Sequence, residues 1–275
     1  VYGFGYSQTG GYLYDWINGV RPLADQANGG KPIYDGYLVA TAGAGFVGLA
    51  PINQCASLPP AGDPRFQIKD IGVPVVHVMS QTDYLTGIGS RRPDSDAPGD
   101  RYRGYEMAGA GHASPDDLTY SARPADIEKT GRDVPPATCA EGPRSRFPSY
   151  IFFDATLRNL EQWTERGIAP PRSAPITVKN GEPVLDRHGN VTGGLRSPYV
   201  DVPTSTWYGT SGGPGCSEAG HEVPFSKAEL AKLYPTHASY VLAVTADTLR
   251  MVVGRTITPA DGRALIREAA TSRVP

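Results

Sequence analysis

Three side chains in this sequence have the types, order and neighbours needed for nucleophilic acyl chemistry. A serine hydroxyl attacks a carbonyl only when a base takes its proton and N–H donors hold the oxyanion that forms. One arrangement that meets both needs sets the serine on a sharp strand-to-helix turn, with small residues two positions to either side. Gly5-Tyr6-Ser7-Gln8-Thr9 has that form, with Thr in place of the usual last Gly and with Gly10-Gly11 beyond it. The Gln8 backbone N–H is then the first oxyanion donor. An acid and then a histidine are expected further along, each after a later strand. Asp83 follows the apolar run Val73–Met79 by way of Ser80-Gln81-Thr82 and is the candidate acid. Glu106, inside the next strand candidate, is its rival. His112 follows that strand (Tyr102 to Ala108) and a Gly109-Ala110-Gly111 turn, and is the candidate base.

Competing residues fit less well. Gly209-Thr210-Ser211-Gly212-Gly213 matches the serine motif more strictly than the Ser7 segment does. No hydrophobic strand precedes it, however, and Gly212-Gly213-Pro214-Gly215 cannot open a helix, so Ser211 reads as a loop residue. Among the other histidines, His77 sits within a buried strand and reads as a satisfied core residue, while His188 occupies a turn. His221 and His237 lie beyond the position that the chain order allows a triad base, and His237, just before a helix, reads as structural. No grouping of Cys, His and Asp has metal-ligand spacing, and there is neither a phosphate-binding loop nor a dinucleotide fingerprint. No metal or cofactor is therefore expected.

The elements that must position these residues are legible from periodicity. Residues 1–6 are a short apolar strand, and Leu13, Trp16, Ile17 and Val20 then recur at the spacing of one helical face, which Arg21-Pro22 is expected to end. Ile33 to Thr41 is strand-like and is followed by a glycine-rich turn at 43–48; residues 50–68 read as loop. Val73–Met79 has the continuous β-branched character of a strand covered on both faces of a parallel sheet. Alternating strands and helices imply an α/β architecture with a mostly parallel sheet. After residue 120 the character changes: 121–148 is Pro- and Arg-rich and irregular, and a helix from Asp154 ends at Gly167. Hairpin turns are expected at Asn180-Gly181 and His188-Gly189-Asn190, and a glycine-rich loop over 207–221. Three closing helices include one capped by Ser226 with Glu229 and one by Thr258-Pro259 with Asp261. The expected organisation is a triad-bearing half at 1–120 and an extension of the same domain at 121–275, in which 172–221 is a lid, a substrate wall or a surface elaboration.

Composition narrows the function classes. The 275 residues carry 26 Lys+Arg against 28 Asp+Glu, and with no basic run this argues against a nucleic-acid or polybasic membrane binder. No stretch approaches the roughly 20 apolar residues of a membrane-spanning helix. The 33 glycines and 26 prolines exclude a pure helical bundle. Cys55, Cys139 and Cys216 all fall in expected loops; their connectivity is open, and they lean the reading toward an exported protein. A first residue already inside a strand leads to the expectation of an upstream portion or partner chain completing the sheet, since this strand would otherwise leave an open parallel edge.

The segments GYSQTG (5–10), PIYDGYL (32–38), VPVVHVMSQTD (73–83), YEMAGAGHA (105–113), NLEQWTERGIAPP (159–171), GNVTGGLRSPYVDVP (189–203) and PFSKAELAKLYPTHASYVLAV (224–244) together resemble the α/β-hydrolase superfamily. More closely they resemble the bacterial "alpha/beta hydrolase domain" family, in which Glu often stands where this chain has Gln81. The resemblance implies the C-terminal part of an α/β-hydrolase fold beginning at its nucleophile strand, with Ser7 as nucleophile, Asp83 as acid and His112 as base. It implies a serine hydrolase of carboxylic esters working through an acyl-enzyme on a small-molecule substrate. An amidase, peptidase or thioesterase using the same triad, and a non-catalytic binding subunit of the same fold, are the alternatives.

Overall fold

The computed structural model describes residues 1–42, 63, 66–69, 71–84, 90–113, 124–134, 138–213 and 216–274. The turn expected at 43–48 and Cys55 lie outside these residues. In chain order the elements are β1 (Tyr2–Tyr6), α1 (Gln8–Asp15), a π-helical turn (Trp16–Val20), α2 (Arg21–Ala27), β2 (Gly36–Ala40), β3 (Val75–Ser80), β4 (Ser95–Ala97) and β5 (Asp100–Met107). There follow α3 (Pro124–Lys129), α4 (Tyr150–Arg166), β6 (Val178–Lys179), β7 (Glu182–Pro183), α5 (Pro198–Asp201), β8 (Ser205–Tyr208), β9 (His221–Pro224), α6 (Lys227–Leu233), α7 (His237–Val253) and α8 (Pro259–Thr271). They form two compact units.

The first unit comprises Val1–Met79, Asp83–Glu106 and Thr156–Pro175. Its centre is a five-stranded sheet in the order β1-β2-β3-β5-β4. β1 pairs with β2 in parallel, Tyr2 opposite Gly36 through Tyr6 opposite Ala40, and β2 pairs in parallel with β3, Tyr37 opposite Val75. The short β4 closes the other end, antiparallel to β5. β2 and β3 are buried at every residue, as their unbroken apolar runs require of strands covered on both faces. On one face Tyr14 and Ile17 pack against Tyr37, Val39, Val75 and Tyr102. On the other, a Cβ on Gly36 would meet Leu160 of α4 at 3.0 Å, so the lack of a side chain there lets helix and sheet approach.

Arg21-Pro22 does not end the first helix. The chain widens into the π turn Trp16–Val20 and re-enters an α-helix with proline in its first turn. The Arg21 amide still bonds the Trp16 carbonyl, and the proline that follows is accommodated where the helix has widened.

The second unit comprises Ser80–Thr82, Met107–Ala155 and Ile176–Pro275. Phe147, Phe152, Tyr199 and Trp207 form its aromatic centre, with ring centroids 5.5–6.4 Å apart. The Asn180-Gly181 turn joins β6 to β7, both residues at positive φ (54° and 82°), which is the backbone a tight hairpin demands. The closing helices start where their caps predict. Ser226 and Glu229 cap α6 reciprocally, Thr236 and Ser239 do the same for α7, and the Thr258 hydroxyl accepts from the Asp261 amide at α8. Two features differ from the sequence reading. Pro124–Lys129 is a short helix within the stretch read as irregular, and the ends of the expected glycine-rich loop are antiparallel strands, β8 pairing with β9.

Candidate active site

Ser7 lies between the last residue of β1 and the first of α1, with φ 54° and ψ −126°. For a residue bearing a Cβ this is a strained backbone, of the kind that persists where surrounding structure enforces it. The enforcement is visible. The Ser7 amide donates to the Ala40 carbonyl at 2.9 Å and to Thr41 Oγ1 at 3.3 Å, which ties the turn to the end of β2. The Ser7 carbonyl accepts the Gly11 amide at 3.0 Å, the first bond of α1. A Cβ on Gly5 would stand 2.4 Å from the Thr9 carbonyl, so only glycine fits there. Thr9 replaces the usual glycine without loss because its hydroxyl accepts from the Tyr6 amide (3.0 Å) and donates to the Tyr6 carbonyl (2.7 Å). Gln8 opens α1, where amides have no carbonyl of their own helix to bind.

The histidine lies on the loop after β5. Its main chain is held by the loop after β3: the His112 amide donates to Thr82 Oγ1 (2.9 Å), the Gln81 amide to the Ala110 carbonyl (3.0 Å), and the Gly109 amide to Gln81 Oε1 (2.7 Å). Gln81 is thus a brace between the two loops. The Thr82 hydroxyl in turn donates to the Gly209 carbonyl. Gly109 has φ 87°, and a Cβ on Gly111 would meet the Ala219 carbonyl at 2.4 Å, so this turn needs its glycines. The Ala113 amide donates to the Glu218 carbonyl at 3.0 Å. His112 itself is buried. Asp83 is half-buried in the turn that follows β3, directly after Thr82.

Segment 216–220, against which the His112 loop rests, is stapled by a disulfide between Cys139 and Cys216 with Cα atoms 5.7 Å apart. Sequence reasoning left the pairing open, and it missed Gln81 and Thr82 as supports; their place between a buried strand and the candidate acid was the available signal.

The other candidates take other roles. Glu106 is held by Arg91 through two bonds of 2.6 Å. Ser211 donates to Glu141, whose carboxylate also accepts the Gly212 amide, so this loop serine is pinned to a neighbouring segment. His77 is a satisfied core residue: its ring nitrogens lie 3.1 Å from the Tyr102 hydroxyl and 2.7 Å from the Ala42 carbonyl, and burial lowers its pKa to about 4. His188 occupies its turn, and His237 bonds the Val274 and Ala270 carbonyls, a structural task. His221 stacks flat on Tyr208 at 4.3 Å. Among the described residues no helix is long and apolar enough to cross a membrane.

No curated protein and no solved structure matches this chain. A family model described as "alpha/beta hydrolase domain" matches residues 1–267. Nearly the whole chain is covered, and the strand-turn-helix at Ser7 and the mostly parallel sheet agree with it: the chain belongs to the alpha/beta hydrolase domain family.

Proposed function

We propose that this hydrolase-family chain is a serine hydrolase of carboxylic esters, with Ser7 as nucleophile, His112 as general base and Asp83 as the acid orienting it. The observation that carries the reading is the Ser7 backbone, strained at φ 54° between a parallel strand and a helix. In the proposed reaction Ser7 Oγ attacks the ester carbonyl while His112 takes its proton, and Asp83 stabilises the imidazolium. The Gln8 amide binds the developing oxyanion. Collapse of that intermediate expels the alcohol, which receives the proton from His112. Water activated by the same imidazole then frees the acid from the acyl-enzyme. A second oxyanion donor in such sites comes from a loop after an earlier strand. We assign it to a segment or partner chain pairing on the side of β1 that has no strand beside it among the described residues.

Two further features support the reading. Within the first unit a cavity of 630 Å³ is walled by Met79 of β3, Tyr105 and Glu106 of β5, and Arg172–Pro175, and we assign the start of 172–221 to a substrate wall on that basis. The Cys139–Cys216 bond supports export, because structural disulfides persist in oxidising compartments. The test is Ser7→Ala: hydrolysis of p-nitrophenyl esters should vanish while circular dichroism and melting stay as in the parent. Turnover by the variant at the parent rate would overturn the proposal.

A further inference from the structure

The second unit contains a smaller cavity that the proposed ester chemistry does not use. Its volume is 220 Å³, below the roughly 300–1,000 Å³ that holds drug-sized ligands and suited to a small metabolite. Tyr199, Trp207, Tyr240, Val244 and Leu265 give it an aromatic and aliphatic lining. Two charged side chains of opposite sign complete it, Glu268 and Arg146.

Among the described residues no salt bridge joins the two, and the Glu268 charge helps to keep Arg146 protonated from a distance. Glu268 on α8 accepts the Tyr199 hydroxyl on both carboxylate oxygens, at 2.6 and 2.7 Å, and has no salt-bridge partner among the described residues. A carboxylate held by one hydroxyl donor keeps the remaining lone pairs of both oxygens. Arg146 gives Nε and Nη2 to the buried Glu222, with Nη2 3.1 Å from Oε2. That pair holds its guanidinium well charged, while Nη1 makes no hydrogen bond among the described residues. The Trp207 indole N–H is occupied too, donating to the Tyr199 carbonyl at 2.8 Å, so the ring walls the cavity as an apolar surface.

We propose that this cavity binds a small zwitterion of amino-acid type, its ammonium on Glu268 and its carboxylate on Arg146 Nη1, with an apolar side chain among Tyr199, Tyr240 and Leu265. Opposite charges lining one small cavity, both of them solvent-exposed, favour a ligand carrying both, since a singly charged ligand meets only one of them.

The experiment is calorimetric titration of the full chain with three probes: L-leucine, 3-methylbutylamine, which lacks the carboxylate, and 4-methylpentanoate, which lacks the ammonium. L-leucine is expected to bind with a Kd on the order of 1 mM or tighter, and each truncated probe at least about tenfold more weakly. Glu268→Gln preserves the shape and an acceptor for Tyr199, and should weaken L-leucine by about tenfold or more with unchanged melting. Arg146→Leu should do the same, with melting and circular dichroism checking the loss of its Glu222 partner. Ester turnover should not depend on either change. No heat with L-leucine, or equal affinity for the amine alone, would overturn the proposal.

Discussion

Thr82 carries two bonds that few single side chains could replace: it accepts the His112 amide and donates to Gly209. Valine has nearly the same shape but neither bond, and a buried N–H left without a partner costs about 1–3 kcal/mol. Thr82→Val should therefore lower kcat for ester hydrolysis by about tenfold to a hundredfold with KM little changed, and Thr82→Ser should restore most of it. A fall in melting temperature with kcat unchanged would show that the residue supports the fold rather than the base. Asp15 presents a different balance. It is buried on α1, neither carboxylate oxygen has a hydrogen bond, and burial pushes its pKa up to about 6. The folded value thus lies above the unfolded one of about 3.9. Asp15 then contributes its full stability below about pH 4, and that contribution is lost as pH rises through about 6. Asp15→Asn should flatten this part of the stability curve and raise stability at pH 7 by about 2–3 kcal/mol, measured by urea unfolding at several pH values. An unchanged curve would mean that the carboxylate finds a partner in solution.

At the scale of elements, the loop bearing His112 rests on a platform made by distant sequence. Gly111 and Ala113 lie against Glu218 and Ala219, and the Cys139–Cys216 bond ties that segment to 138–145, where Ser145 donates to Gly220. Replacing both cysteines by serine should cost about 2–5 kcal/mol in denaturant unfolding. It should also lower ester turnover under conditions where the protein remains folded, because the proposed base His112 loses its support. Full turnover in the folded double variant would separate platform from catalysis. The proposed substrate wall at Arg172–Pro175 makes its own prediction. Ala174→Trp should fill part of the 630 Å³ cavity and depress turnover of long-chain esters by about tenfold relative to acetate, comparing kcat/KM across chain lengths. Legibility varied between elements for physical reasons. The Ser7 turn could be read because everything that makes it is local: an apolar strand, small residues at fixed offsets, and a helical period. The helix caps were legible for the same reason. Pro22 misled because proline breaks a helix interior yet suits a first turn, and only the intervening π turn decides which applies. β8 and β9 were hidden by the glycine-rich connection between them, and the pairing of Cys139 with Cys216 depends on contacts 77 positions apart.

For the molecule as a whole, the family assignment rests on a match over residues 1–267, and the fold agrees with it. A hydrolase fold carries catalytic and non-catalytic proteins alike, so the chemistry must be argued from the site. That Ser7, Asp83 and His112 each follow a strand of one sheet was legible, because the order of strands along the chain survives folding. The bracing of the His112 loop by Gln81 and Thr82 was not, because it comes from packing between loops. The central claim is that Ser7 is an activated nucleophile. The most direct measurement is reaction of the full chain with a fluorophosphonate, followed by mass-spectrometric mapping of the labelled peptide. The account predicts one equivalent of label on Ser7, and its loss both in Ser7→Ala and, through the missing base, in His112→Ala. Absence of label on the folded parent chain, or label on Ser211 in its place, would contradict it.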